Sequence, residues 1–381
     1  MNDSVVVKKG FGTRIKNGFS GIFGGIIIFI IGICVLVWNE RSNVKNIHDV
    51  KELRDVYTDV KSDQVAKDYE DKLIATTGKL DFGEEELKDE VFNISIKTPT
   101  LVRVVEMYQW VEETEEDEDK TTYTYKKEWK NELIDSTKFN QSNNHYNPDS
   151  MAYDQFSVNA QELKVGAYKL SSAYSSLVTA NKTISDLTGA KVPEGYQVYN
   201  HYLISSEKAE EPKIGDIRIS FEYADYSDVS VMGKLHDGTL IEYTTKEKSR
   251  IAVFREGTHD GAFLIDEIET GQKAMKWIVR LIGTILIIGG IKSLFGPLTA
   301  LSSYVPILRN IVGGAVGLIS FLVGLAISLI VIAISWVVFR PVLGISLLVA
   351  AIVLIILAKK FGSKKGKVAE AAPQPVEEKQ E

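Results

Sequence analysis

Twenty consecutive uncharged residues, Phe19 to Trp38, constrain this chain more than any other feature of it. An α-helix rises about 1.5 Å per residue and the hydrocarbon core of a bilayer is about 30 Å thick, so about twenty apolar residues suffice to cross it. Lys8, Lys9, Arg14 and Lys16 precede the run, and Asn39, Glu40 and Arg41 follow it. A cleaved signal peptide would end in small residues, whereas this run ends in Trp38, so the pattern predicts a retained membrane helix.

Three more apolar runs follow far downstream. Trp277 to Leu294 carries Arg280 and Lys292 near its ends, where long side chains reach the membrane interface. Residues 295–310 read as a loop. Ile311 to Phe339 would measure about 43 Å as one helix, more than the hydrocarbon needs, and Gly313 and Gly314 mark the place where it is expected to begin. Val342 to Ala358 spans about 26 Å, barely sufficient, and only Arg340 and Pro341 separate it from the third run. The expectation is four transmembrane helices, 19–38, 277–294, 311–339 and 342–358. Intramembrane acids or histidines, the usual mark of ion coupling, are absent from these runs, which argues against a transporter and disfavours a pore.

Charge is divided along the chain. No Asp or Glu occurs between Trp277 and Ala369, while Glu40 to Lys276 holds 46 of the 51 acidic and 30 of the 44 basic residues. An acidic middle repels polyanions, which argues against a nucleic acid partner. Lys and Arg are enriched on the cytoplasmic side of membrane flanks. The basic N-terminus (1–18), the 295–310 loop and the lysines of the 359–381 tail all satisfy that rule if four helices cross. The middle domain, 39–276, then lies on the exoplasmic face, the periplasm of a bacterium or the lumen of a eukaryotic organelle. The single cysteine, Cys34, lies in the first run, so no disulfide within the chain staples the domain.

Within the domain, alternation of β-branched and aromatic residues predicts strands at Leu101–Val111 and Thr121–Glu132, joined by the acidic run Glu112–Lys120 as a solvated loop. Val229–His236 and Thr239–Thr245 flank Asp237-Gly238, a pair suited to a two-residue hairpin turn. Asp216–Asp225, Tyr196–Ile204 and Ile251–Phe254 add strands. Helical periodicity is confined to Val44–Val60, Ser171–Thr179 and Phe263–Lys276, the last able to run into the second membrane segment as one helix. The domain therefore reads as α+β, rich in antiparallel sheet.

Catalytic patterns are missing. The five histidines stand at 48, 145, 201, 236 and 259 without metal-ligand spacing, and there is no nucleophile elbow, phosphate loop or dinucleotide fingerprint. The acidic loop lacks the spacing and glycine of a calcium-binding loop. No cofactor or metal is expected. Glycines follow a pattern of their own: Gly18, Gly25 and Gly32 recur every seven residues, and Gly21–Gly25 and Gly313–Gly317 are four apart. Small residues so placed let helices approach closely, within the chain or between copies of it.

The stretch Val105-Glu106-Met107-Tyr108-Gln109-Trp110-Val111-Glu112, then Tyr123, Tyr125, Glu128 and Trp129, then His145 with Asn147, Pro148, Met151 and Ala152, resembles the LUMA family, also called the transmembrane protein 43 family. Gly215 to Phe221 and Phe339-Arg340-Pro341 resemble its later segments. The resemblance implies a four-span protein with a large luminal domain and no established enzyme activity. It also implies a self-associating organiser of membrane protein complexes that contact emerin and lamins. An Ile/Lys-rich composition and an Ala/Pro/Glu-rich tail suggest a bacterial member, for which lamina partners transfer poorly. The expected role is a non-enzymatic scaffold in the bacterial inner membrane, homo-oligomeric, with the lipid bilayer and other membrane or envelope proteins as partners. A lipid-related envelope enzyme or ligand sensor with a membrane-proximal cleft is the alternative. Met107, Tyr108, Gln109, Trp110, Trp129 and His145 are the interaction candidates. The simplest reading of the first four is that Met107 and Gln109 share one strand face and that Tyr108 and Trp110, on the other, are core.

Overall fold

The computed structural model describes residues 3–117, 120–302 and 306–342. The chain divides into a sheet unit (residues 1–18, 46–273 and 298–309) and a helical unit (19–45, 274–297 and 310–381).

Two sheets build the first unit. One has the strand order Asp3–Lys8, Lys120–Lys130, Thr100–Glu116, Ile217–Tyr223, Tyr202–Ile204 and Gln197–Tyr199, with Phe156–Asn159 and Lys182–Thr183 paired alongside. In the other, Asp228–His236, Thr239–Ile241, Tyr168–Leu170, Leu163–Val165 and Leu73–Asp81 pair in turn, and the last returns to pair with the first. Five strands thus close into a small barrel, which removes the free edges that an open sheet would expose. Alternation sorts the barrel residues. Ile74, Val229, Val231 and Leu235 fill one core with Tyr168, Tyr174 and Phe254, while Leu73, Ala75 and Met232 form another with Val50, Leu53, Leu264 and Ile265 of the adjoining helix ends. Tyr174 needs Gly233: its Oη donates to the Met232 carbonyl at 2.7 Å, and a Cβ on Gly233 would stand 2.1 Å from it.

The Asp237-Gly238 turn forms as the sequence predicts, with φ of 48° and 71° at the two residues and His236 opposite Thr239. Three sequence expectations within residues 112–204 need correction. First, the acidic run is not a loop: the strand continues through Glu116, with Glu112 opposite Tyr125, Glu113 opposite Thr124 and Glu115 opposite Thr122. Alternation sends these acids to two faces, and Glu113 pairs with Lys126 at 2.6 Å, so self-repulsion is answered across the strands. Second, Tyr196–Ile204 is not one strand but a tight hairpin, turning at Asn200 with φ of 53°. Third, Ser171–Thr179 holds only one helical turn, Ser172–Ser175.

Helices of 46, 34 and 34 residues cover Phe11–Val56, Gly261–Leu294 and Pro306–Phe339. All three are long and apolar enough to cross a membrane. The second does run from the domain edge into the apolar segment. The third starts at Pro306 and passes through Gly313 and Gly314 without a break, contrary to expectation, because apolar surroundings favour an intrahelical partner for every backbone group even at glycine. Part of the expected 295–310 loop is likewise helical, at Gly296–Ser302. The fourth run lies outside the described residues except for Val342, as does the 359–381 tail.

The N-terminus brings the largest departure. Asp3–Lys8 is a strand of the first sheet, antiparallel to Lys120–Lys130, from Asp3 opposite Tyr125 to Lys8 opposite Lys120. Paired strands occupy one aqueous compartment. A helix crossing once between them would put them in two, so a docked strand and a single crossing at Phe19–Trp38 exclude each other in the same molecule.

Candidate functional site

Met107 and Gln109 face inward, Met107 2 % and Gln109 0 % exposed, while Tyr108 and Trp110 are only half-buried. The aromatic pair is therefore not core. Tyr108 leans on Trp129 with ring centroids 5.3 Å apart, and the Arg218 guanidinium lies 4.6 Å over Trp129 and 4.8 Å over Tyr202. Lys127 stands 4.6 Å over Trp110. These groups line the outer face of the hairpin because Tyr108, Trp110 and Glu106 alternate on one arm, opposite Trp129 and Lys127 on the other, with Arg218 beside Glu106.

Three carboxamides stitch the 131–155 segment to the long strand. Gln109 Nε2 donates to the Glu132 carbonyl at 2.8 Å, and its Oε1 accepts from Ile134 N at 2.9 Å. Asn147 accepts from Trp110 N at 2.7 Å and donates to Trp110 O at 2.9 Å. Gln155 does the same to Val105, at 2.9 and 2.6 Å. Asn147 and Gln155 occupy places where the neighbouring strands end, and a primary amide carries the donor and acceptor that a strand residue would present. Gln109 is a candidate through the motif that resembles the family. Asn147 is flagged only by that resemblance and Gln155 by nothing in the sequence, since both lie in segments without periodicity.

His145, 2 % exposed, stacks on Tyr125 with ring centroids 3.6 Å apart and meets Trp110 edge-on at 4.6 Å. Its Nδ1 lies 3.1 Å from the Gln141 carbonyl. Tyr125 donates to Glu112 at 2.7 Å, and burial, reinforced by that carboxylate, pushes its hydroxyl up to about 12. Burial likewise pushes Tyr196 and Tyr243 up to about 12. A tyrosine held neutral in the fold but ionising near 10 when unfolded contributes stability that is complete below about pH 10 and lost as pH rises through 12. Unfolding midpoints should therefore fall across that window, and less steeply in Tyr125→Phe; an unchanged slope would show that Tyr125 ionises normally.

Glu70, Asp71 and His236 converge within 4.8 Å, all exposed. Lys234 Nζ already sits 2.7 Å from Asp71 and holds its carboxyl below the usual range, so an ammonium occupies the place a cation would take. An open groove of about 420 Å³ is lined by Thr100, Ser157, Asn159, Ser176 and Glu222. Its single carboxylate has no basic partner in the lining, so it offers no acid–base pair.

Of the glycines singled out in the helical unit, Gly25 and Gly32 meet the second long helix. A Cβ on Gly25 would come 2.9 Å from Gly290 O, and one on Gly32 would come 3.0 Å from Gly283 O. Steps of seven on the first helix are matched by steps of seven back along the second, the register of an antiparallel pair. Gly21 would make only a 3.9 Å contact, and Gly313 and Gly317 meet nothing within 4 Å. Gly18 belongs to the other unit and is buried. The missed partners are Gly283 and Gly290, whose own seven-residue spacing was the available signal, and Gly324, where a Cβ would come 3.0 Å from Ile288 Cα and which brings in the third helix. Gly32→Leu should destabilise the bundle by about 3 kcal/mol or more through overpacking, and Gly317→Leu should be nearly neutral. Thermal unfolding in mild detergent checks both, and equal effects would contradict the packing.

At one end of this bundle lies a charged cluster that the sequence reading missed. Arg280 is buried in an ion pair: its Nε donates to Glu40 Oε1 at 2.7 Å, and Trp336 Nε1 donates to Glu40 Oε2 at 2.8 Å. Glu40 is 1 % and Arg280 9 % exposed. The guanidinium also lies 4.8 Å over Trp277, and Asn39 donates to the Lys276 carbonyl at 3.3 Å. One carboxylate therefore joins all three helices. Trp38 and Trp277 stand exposed beside it, as aromatic residues do at a membrane–water boundary.

A family model described as Transmembrane protein 43 matches residues 107–341. Among curated proteins, Transmembrane protein 43 of Homo sapiens is 27% identical over 375 residues, covering 92% of this chain and 92% of its own. The Pongo abelii protein is 28% identical over 374 residues at the same coverage. The Drosophila melanogaster homolog is 26% identical over 351 residues, covering 86% and 90%. No solved structure matches.

Proposed function

We propose that this chain, which belongs to the transmembrane protein 43 family, is a non-enzymatic membrane scaffold that self-associates and organises other membrane or envelope proteins through its sheet domain. The outer face of the long hairpin carries the reading. Two buried amides, Gln109 of the strand and Asn147 of the 131–155 segment, tie it to that segment, and it displays half-buried Tyr108, Trp110 and Trp129 interleaved with Lys127 and Arg218. Aromatic residues and arginine on a rigid support are what protein interfaces use as anchors.

The proposed setting is a bacterial inner membrane, crossed four times, with the sheet domain in the periplasm and no nucleic acid partner. Magnitudes favour the crossed state over the docked N-terminal strand. Phe19 to Trp38 contains 13 Leu, Ile, Val or Phe residues, each worth about 0.3 to 0.6 kcal/mol on insertion, or about 6 kcal/mol in all. The docked strand is exposed except at Val5, so its six cross-strand pairs sit at the low end of about 0.2 to 1 kcal/mol each. Insertion thus undocks Asp3–Lys8 and frees the edge of the second hairpin arm.

Light scattering of the full chain in mild detergent should give a mass above that of a monomer. Tyr108→Ala with Trp110→Ala should reduce the set of membrane proteins crosslinked to it while leaving the melting temperature within a few degrees. A strictly monomeric protein whose crosslinked partners survive that double change would defeat the proposal.

A further inference from the structure

Among the described residues, the two buried side-chain atoms left without a partner at the Glu40 end of the bundle, Asn43 Nδ2 and Arg340 Nη2, are both donors. Both Glu40 oxygens are engaged, by Arg280 Nε and Trp336 Nε1. Arg340, whose backbone N donates to Trp336 O at 2.8 Å, follows Trp336 by one helical turn, and its Nη2 is buried without a partner. Asn43, 8 % exposed and one turn beyond Glu40, likewise has a buried Nδ2 without a partner. Nor can the rest of the C-terminal membrane region answer Arg340, because no Asp or Glu occurs between Trp277 and Ala369. Glu40 is taken up by Arg280 and Trp336, which leaves the charge of Arg340, one helical turn past Trp336, unanswered at the end of the bundle where Trp38 and Trp277 are exposed and lipid headgroups would lie. A buried, unpaired guanidinium nitrogen is costly, and a planar guanidinium matches phosphate oxygens well.

We propose that this end of the bundle is a binding site for the phosphate of an anionic phospholipid, with Arg340 as the principal ligand and Arg280 as the second positive group. Glu40 fixes Arg280 and leaves the site a net positive charge that one phosphodiester neutralises. The lipid would thereby supply the acceptor that the described residues lack and hold the last turn of the third helix against the other two.

The full chain is reconstituted in nanodiscs of phosphatidylcholine alone, or of phosphatidylcholine with a third of phosphatidylglycerol, and its melting temperature is followed. Phosphatidylglycerol should raise the melting temperature of the wild type by several degrees. Arg340→Gln should lose most of that increment while melting normally in phosphatidylcholine; Arg340→Lys, which keeps the charge but not the fork, should retain part of it. Lys292→Gln, which removes an exposed charge elsewhere on the second helix, should keep the whole increment. Inorganic phosphate added in detergent should produce no shift. The proposal is overturned if the wild type gains nothing from phosphatidylglycerol, which also decides the matter should Arg340→Gln fail to fold. It is equally overturned if Arg340→Gln keeps the increment, if Lys292→Gln loses as much, or if free phosphate reproduces the effect and so identifies a soluble anion as the ligand.

Discussion

Replacing Glu40 by alanine should destabilise the helical unit by about 3 to 5 kcal/mol, the cost of leaving a buried charge without its partner. The change removes the acceptor from both Arg280 and Trp336 at once and strands a guanidinium that is only 9 % exposed. Glu40→Gln, which keeps an acceptor but no charge, should cost less. Removing the charges in both partners, Glu40→Gln with Arg280→Met, should recover much of the loss, since an apolar replacement of a buried pair is often near neutral. Unfolding in detergent, followed by tryptophan fluorescence, checks the order. An alanine variant that melts like the wild type would show that the three helices are held without this carboxylate.

An effect of similar size is expected in the sheet unit from Asp89→Ala. Arg103 Nη1 donates to both Asp89 oxygens, at 3.0 and 2.9 Å, and its Nε donates to the Asp154 carbonyl at 3.0 Å. Asp89 is 1 % and Arg103 6 % exposed, with the guanidinium 5.1 Å from Phe92 and 5.3 Å from Phe156. The same carboxylate accepts from Val91 N at 2.9 Å and shapes the turn that places Phe92 in the core. Alanine here should therefore cost about 3 to 5 kcal/mol, and Arg103→Met in the Asp89→Ala background should restore part of it. A double variant no more stable than Asp89→Ala would show that the turn, not the stranded charge, carries the cost.

The two buried pairs show what a linear reading reaches and what it misses. Periodicity located the strands of the long hairpin and the Asp237-Gly238 turn because those signals are local: alternation every second residue, and two positive φ values in a row. Apolar run length located the three long helices for the same reason. Barrel closure was not legible, because three of its five strands have three residues each, too short to establish a period. Glu40 looked like the polar end of a span, since its partner Arg280 lies 240 residues away. Gly25 and Gly32 were found by spacing, while Gly283 and Gly290 show their meaning only when the second helix is laid antiparallel to the first. Trp110 was assigned to the core because aromatic residues usually are; its half-buried setting under Lys127 follows from a segment, 131–155, that carries no periodicity at all. Long-range polar contacts such as Glu40–Arg280 and the Asn147–Trp110 pair leave no trace in local pattern.

The proposed scaffold requires a domain displayed on one side of a membrane by helices that cross it. Accessibility to a membrane-impermeant thiol reagent in intact cells tests this most directly, with Cys34 replaced by alanine and single cysteines at Ser4, Asp117 and Lys365. Labelling from outside at Asp117→Cys alone is the result predicted, with Ser4→Cys and Lys365→Cys reacting only after the membrane is opened. Asp117→Cys and Lys365→Cys reacting from the same side would contradict it, and Ser4→Cys reacting together with Asp117→Cys would show that the N-terminal strand stays docked and that Phe19–Trp38 does not cross.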